Sequence, residues 1–129
     1  MKQVILIVED NAMNMELTTD LLEVNGYTVL QAENAEIGIE MAISKLPSLI
    51  LMDIALPGMD GLSAAAILKR NDATSSIPIV ALTAHAMKGD AQNALSMGCA
   101  GYITKPLDTR TFPALIESYL GLAATAQSG

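Results

Sequence analysis

Cysteine occurs once in this chain of 129 residues, at Cys99. No internal disulfide can form, and a reducing cytoplasm is the expected compartment. Tryptophan is absent and phenylalanine occurs once, which leaves little aromatic surface for stacking nucleic-acid bases. Basic residues are scarce: seven Lys and Arg stand against fourteen Asp and Glu, a net charge of −7. Nucleic-acid binding needs clustered cations to neutralise phosphates, and no such cluster is present. Long apolar runs are missing too. Val4–Val8 and Leu49–Met52 are far too short to cross a bilayer, so no membrane partner is expected. Met1 is followed almost at once by the strand-like Val4–Val8, which leaves no room for a signal peptide.

What is present is apolar and ordered in pattern. Hydrophobic residues make up 51% of the chain, which argues against disorder, and the length suits one domain. Five short apolar runs read as strands: Val4 to Val8, Tyr27 to Leu30, Leu49 to Met52, Ile77 to Leu82 and Tyr102 to Thr104. Their continuous apolarity indicates parallel strands covered on both faces. Helical patterns lie between them. In the first, Leu17, Leu21 and Leu22 form a stripe flanked by Val24, with Gly26 as the stop. The second runs from Ala35 to Lys45 with Ile37, Met41 and Ile43 apolar, the third from Leu62 to Arg70, the fourth from Met87 to Met97. The fifth ends near Leu120. Pro113 is tolerated only in a first turn, which places the start of that helix near Thr111. This alternation predicts an α/β fold: a flavodoxin-like, doubly wound, five-stranded parallel sheet of order 2-1-3-4-5 with five helices. Residues 1–122 are expected to form the one domain. Residues 123–129, small and polar, are expected to form a flexible C-terminal tail.

In such folds ligands sit beyond the carboxyl ends of the strands. Strand one ends in Glu9-Asp10-Asn11, strand three in Asp53, strand four in Thr83-Ala84 and strand five in Lys105-Pro106. Polar residues collect at strand ends in any case, because strand ends meet solvent. The N-terminal strand ends are not similarly charged, however, so three carboxylates, a hydroxyl and an ammonium on one edge point to a site. Mutual repulsion among three carboxylates calls for a cation. Hard oxygen donors without Cys or His suit Mg²⁺. Beside that ion the Asp53 carboxylate could act as a nucleophile toward phosphorus, with Lys105 and Thr83 stabilising the phosphoryl oxygens.

Four motifs carry a resemblance: Ile7-Val8-Glu9-Asp10-Asn11; Leu51-Met52-Asp53-Ile54 with Pro57-Gly58-Met59-Asp60-Gly61; Ala81-Leu82-Thr83-Ala84; and Lys105-Pro106. In order and spacing the chain resembles the receiver domain of bacterial two-component response regulators, from residue 3 to about residue 120. Glu9-Asp10-Asn11 with Asn14, and the run from Thr83 to Asp90, further resemble the receivers of hybrid sensor kinases and the DivK-like single-domain regulators. The resemblance implies that Asp53 accepts a phosphoryl group from phosphohistidine. It implies Mg²⁺ held by Asp10, Asp53 and the Ala55 backbone carbonyl, with Glu9 acting mainly through water. Thr83 and Lys105 hold the phosphoryl oxygens, Ala84 leaves them room, and Tyr102 stands at the switch position. A cis peptide at Lys105–Pro106 is implied as well. The partners implied are a sensor histidine kinase or histidine phosphotransfer protein and a downstream protein target. Catalysis is confined to the domain's own phosphorylation and dephosphorylation.

His85 is read as peripheral rather than as a phosphodonor or metal ligand, and Cys99 as a small buried hydrophobe. Met13 and Met15 lie off the apolar stripe, close to the acidic edge, where they either pack or offer a surface to a helical partner. Two rival functions belong to other classes. A haloacid-dehalogenase-like phosphatase places its Asp nucleophile after the first strand with a second Asp two residues on. Here Asp53 follows the third, and Ala55 stands two on. A flavin-binding module needs a phosphate-cradling loop after strand one, where Glu9-Asp10 would repel phosphate.

Overall fold

The computed structural model describes residues 3–56, 58–83, 95–96, 98–104 and 107–128, with side chains described as far as residue 121. The elements run β1 (Val4–Val8), α1 (Ala12–Val24), β2 (Thr28–Ala32), α2 (Ala35–Lys45), β3 (Leu49–Asp53), α3 (Gly61–Arg70), β4 (Ile79–Thr83) and β5 (Gly101–Thr104). A last helix, here α4, spans Phe112–Ser128. The strands form one parallel sheet of order β2-β1-β3-β4-β5. Among the described residues there are four helices; the helix expected over 87 to 97 lies outside them, apart from Leu95 and Ser96.

The side-chain alternation of the strands splits the core in two. Leu6, Val8, Ile50, Met52, Ile79 and Ala81 face one layer with residues of α2 and α3. Ile5, Ile7, Leu49, Leu51, Val80 and Leu82 face the other, with α1 and α4. β3 and β4 are buried at every position, as strands flanked by two neighbours and two helix layers must be.

The helix faces differ from the apolar pattern in two places. On α1 the buried residues are Met15, Thr18 and Leu22, while Leu17 is 45% exposed. Thr18 can turn inward because its hydroxyl donates to the Asn14 carbonyl at 2.8 Å, so no polar group is left unsatisfied. On α2 the buried residues are Ala35, Gly38 and Ala42, and Ile37 and Ile43 are exposed. The closest approach to β1 is at Gly38, where a Cβ would meet Val8 Cγ2 at 2.7 Å, while Ile39 and Met41 of the same helix also pack on that core layer.

Three helices start on side-chain caps. Asn11 accepts from the Asn14 N–H at 3.0 Å, Asn34 from Ile37 at 2.9 Å and Asp60 from Ser63 at 2.8 Å. Pro113 falls in the first turn of α4, where its missing N–H costs nothing. α4 runs past Leu120, where the apolar pattern ends, since Ala123, Ala124 and Ala126 have high helix propensity.

At the edge of the sheet away from the carboxylates, the Lys69 ammonium donates to the carbonyls of Ile77 at 2.7 Å and Ser75 at 3.1 Å. The Lys69 stem lies against Gly98, whose φ of +100° suits glycine. Cys99 is buried beside it. Burial pushes the Cys99 thiol up to about 11, against the opposing pull of the Lys69 ammonium. Burial likewise lowers Lys69, with Cys99 acting in the opposite direction. A thiol raised in the folded state contributes stability that is present below the unfolded pKa and lost as pH rises through the folded one. Between about pH 8 and about pH 10.5 the wild type should therefore lose roughly 2 kcal/mol more stability than Cys99→Ala. Lys69, with its lowered pKa, works with the opposite sign in both proteins. Urea midpoints of the pair at the two pH values provide the check; parallel losses would refute the assignment.

Candidate functional site

The register of the sheet builds the acidic cluster. Val8 pairs with Met52 across β1 and β3, so the residues that follow, Glu9 and Asp53, leave the sheet side by side. Asp53 also pairs with Leu82 of β4, which brings Thr83 to the same edge. Carboxylate oxygens of Glu9, Asp10 and Asp53 all lie within 4.8 Å of one another. Glu9 and Asp53 are buried, at 2% and 5% exposure, and Asp10 is exposed. Two inner carboxylates and one outer thus line a cup that opens to solvent.

Backbone groups orient them. The Asn11 N–H donates to Glu9 Oε2 at 3.2 Å, and the Glu9 N–H donates to the Ala32 carbonyl at 3.0 Å, tying the start of the loop to β2. The Ala55 N–H donates to Asp53 Oδ1 at 2.9 Å, and the Ile54 N–H to the Leu82 carbonyl at 3.1 Å. Thr83 is buried at the end of β4, in register with Thr104 of β5. Lys105, its peptide with Pro106, Ala84 and His85 lie outside the described residues.

From the cluster a groove of about 630 Å³ continues between α1 and β2, lined by Asp10, Met15, Glu16, Asp20 and Glu33 among others. The two methionines near this edge behave differently: Met15 is buried at 8% exposure and belongs to the core, whereas Met13 is 81% exposed. On the far side of the sheet Tyr102 is 39% exposed, beside a second groove of about 470 Å³ that Thr104, Asp108 and Leu115 also line. Tyr119 of α4 lies across Gly101, where any Cβ would overlap its phenol. Burial raises Tyr119, with a smaller contribution from Tyr102.

One residue that shapes the site was not singled out as functional from sequence. A Cβ on Gly61 would overlap the Asp53 carbonyl oxygen and approach Ile54 Cα at 2.9 Å. The first residue of α3 thus packs on the backbone of the Asp53 turn. The only signal was its place in the run Pro57-Gly58-Met59-Asp60-Gly61.

Three carboxylates gathered at the carboxyl edge of a parallel 2-1-3-4-5 sheet make a cup suited to a cation rather than to a flavin phosphate. Residues 5–117 match the family of response regulator receiver domains, and the chain belongs to that family. It is 43% identical over 121 residues to a polar-differentiation response regulator DivK from Brucella anthropi, covering 94% of this chain and 98% of that protein. It resembles the receiver domain of sensor histidine kinase PA1611 from Pseudomonas aeruginosa, solved with a magnesium ion coordinated in the active site cleft. That likeness has TM-score 0.87 and 32% identity, over 94% of this chain and 99% of the other. A CheY-like receiver domain protein from Methanospirillum hungatei superposes with TM-score 0.89 at 26% identity, over 97% and 98% of the two chains.

Proposed function

We propose that this chain is the phosphoacceptor of a two-component or phosphorelay system, taking a phosphoryl group from phosphohistidine onto Asp53. The observation that carries the reading is the buried Asp53 carboxylate, ending β3 within 4.8 Å of Glu9 and Asp10. An Asp53 oxygen forms the new bond to phosphorus as the P–N bond of the donor breaks. The electron pair stays on the donor imidazole, which takes up a proton. The Ala55 N–H holds Asp53 Oδ1 and so fixes which way the carboxylate faces. Thr83 and Lys105 hold phosphoryl oxygens, and Ala84 leaves space for them.

All three side chains of the cluster offer carboxylate oxygen, the donor set that suits Mg²⁺. Asp10, Asp53 and the Ala55 carbonyl would hold the ion, with Glu9 acting through water. When bound, it supplies the positive charge that an anionic donor needs in an acidic cup. The magnesium in the Pseudomonas receiver supports this reading. The same cup disfavours a flavin phosphate, and Asp53 after β3 rather than β1 disfavours the dehalogenase-type phosphatase. Chemistry is confined to the domain's own phosphorylation and its reversal.

The donor is a sensor histidine kinase or a histidine phosphotransfer protein, and the signal leaves through contact with a protein target. Residues 1–122 form the receiver in this reading and 123–129 its C-terminal tail, which continues α4 as far as Ser128. No helix among the described residues is long and apolar enough to cross a membrane, and the cytoplasm is the compartment proposed. Intact mass after acetyl phosphate with Mg²⁺ should show one added phosphoryl group. Labelling that persists in excess chelator would overturn the reading.

Output requires a rearrangement, and Thr83 and Tyr102 are the residues proposed to make it. Thr83 moves toward the phosphoryl oxygens, and the exposed Tyr102 turns inward into the space released. Amide NMR with Mg²⁺, before and after the phosphate mimic beryllofluoride, should show shifts across residues 87 to 103. Shifts confined to the loops at Asp10, Asp53 and Lys105 would rule the switch out.

A further inference from the structure

The sequence contains a single Asn–Gly step, Asn25-Gly26, at the C-terminal end of α1. We propose that Asn25 is a self-modification site, at which the Gly26 backbone nitrogen attacks the Asn25 side-chain amide whenever the end of α1 opens. The chemistry needs only water. The Gly26 nitrogen gives up its proton to solvent and bonds to the Asn25 Cγ. The Cγ–Nδ2 bond breaks, Nδ2 takes a proton from solvent and leaves as ammonia, and a five-membered imide closes. Water then opens the imide at either carbonyl, giving aspartate or, with the main chain rerouted through the side chain, isoaspartate. Glycine as the attacking residue puts no side chain in the way.

The folded turn holds both reacting groups away from this path. Asn25 sits at φ −91° and ψ 10°, a compact conformation that keeps the Gly26 nitrogen off the back of Cγ. The Gly26 N–H is engaged with the Glu23 carbonyl at 3.0 Å. The Asn25 Nδ2 donates to the Leu21 carbonyl at 2.7 Å, which fixes the side chain along the helix. Gly26 itself lies at φ +91°, so the cap depends on glycine at the position that makes it reactive. Both Asn25 and Gly26 are exposed, and water reaches them. The rate in the folded protein is then the rate of the open turn multiplied by the fraction of time it is open.

The consequence reaches the acidic cup. β2 follows this turn at once, with the Tyr27 N–H bonded to the Leu22 carbonyl and the Thr28 N–H to Gln3. At its other end Ala32 holds the Glu9 N–H. An isoaspartate adds one atom to the main chain between α1 and β2, an edge strand with only β1 to hold it. β2 must then shift or lose its first pairings.

The test is incubation of the protein at neutral to mildly alkaline pH, folded and in denaturant, followed by peptide mapping with an isoaspartyl methyltransferase assay. Conversion at Asn25 should dominate over every other asparagine in denaturant, and should be slower by at least about tenfold in the folded chain, as partial opening requires. Gly26→Ala in denaturant should slow it sharply, since the attacking residue then carries a side chain. In the isoaspartate fraction the Glu9 amide should exchange faster with deuterium. Equal rates folded and unfolded would overturn the gating, an unreactive Asn25 in denaturant would overturn the site, and unchanged exchange at Glu9 would overturn the link to the cup.

Discussion

Asp53→Asn should abolish phosphoryl labelling while leaving the fold intact. The amide is nearly isosteric with the carboxylate, and its oxygen can still accept from the Ala55 N–H, which now lies 2.9 Å from Asp53 Oδ1. What is lost is the anionic oxygen that attacks phosphorus, and an amide has no comparable nucleophile to offer. Intact mass with a phosphohistidine donor should show no adduct on the variant. A second readout comes from thermal melts. The variant carries one fewer of the three carboxylates that lie within 4.8 Å of one another. Mg²⁺ should raise the melting temperature of wild type more than that of the variant. Full labelling of the asparagine protein, on any residue, would mean that Asp53 is not the acceptor.

Gly61→Ala should be the most damaging single methyl addition at the site. The new Cβ has nowhere to go, because the atoms it meets are the backbone of Asp53 and Ile54 rather than a flexible side chain. Either α3 backs away or the Asp53 turn rotates. The expected cost is about 3 kcal/mol, at the upper end for overpacking. Displacing the nucleophile by a fraction of an ångström should slow phosphorylation by at least about tenfold. Gly58→Ala is the control. Gly58 has φ +74° and no atom within 4 Å of its missing Cβ, so it should cost about 1 kcal/mol through backbone conformation alone and leave the rate nearly unchanged. Denaturant midpoints and single-turnover labelling of the two variants separate the effects. A Gly61→Ala protein with wild-type rate would show that the contact does not position Asp53.

The sheet was legible because its strands are continuous apolar runs, a pattern that only strands buried on both faces require. Glu9, Asp10, Asp53 and Thr83 were legible because they end those runs, and parallel strands put all such ends on one edge. The helix faces were less so. Leu22, Leu21 and Met41 of the expected faces do pack on the core, but Leu17, Ile37 and Ile43 are exposed, and Thr18, Ala35, Gly38 and Ala42 are buried in addition. Hydrophobicity marks what gains from burial, whereas a helix lying close to a sheet selects what fits. Thr18 passes as polar until its hydroxyl is seen to be satisfied within its own helix. Gly61 was hidden for a related reason: its role is the absence of an atom, and that is visible only when the Asp53 carbonyl is in place.

Every strand pairing among the described residues is parallel, so none of them can form as a hairpin. Ile5 meets Leu49 only after α1, β2 and α2 have been closed into a loop, and Val80 meets Gly101 only across the segment that joins β4 to β5. Such a topology puts most of the entropic cost of folding before its reward, and folding should be slow relative to a helical bundle of the same length. The acidic cup inherits that history. Glu9 and Asp53 come together only when β1 and β3 have paired across the whole of α1, β2 and α2. On the function proposed above, a chain in which β1 and β3 have not yet paired would hold no cation at this edge and would not compete with the native one for the phosphoryl donor.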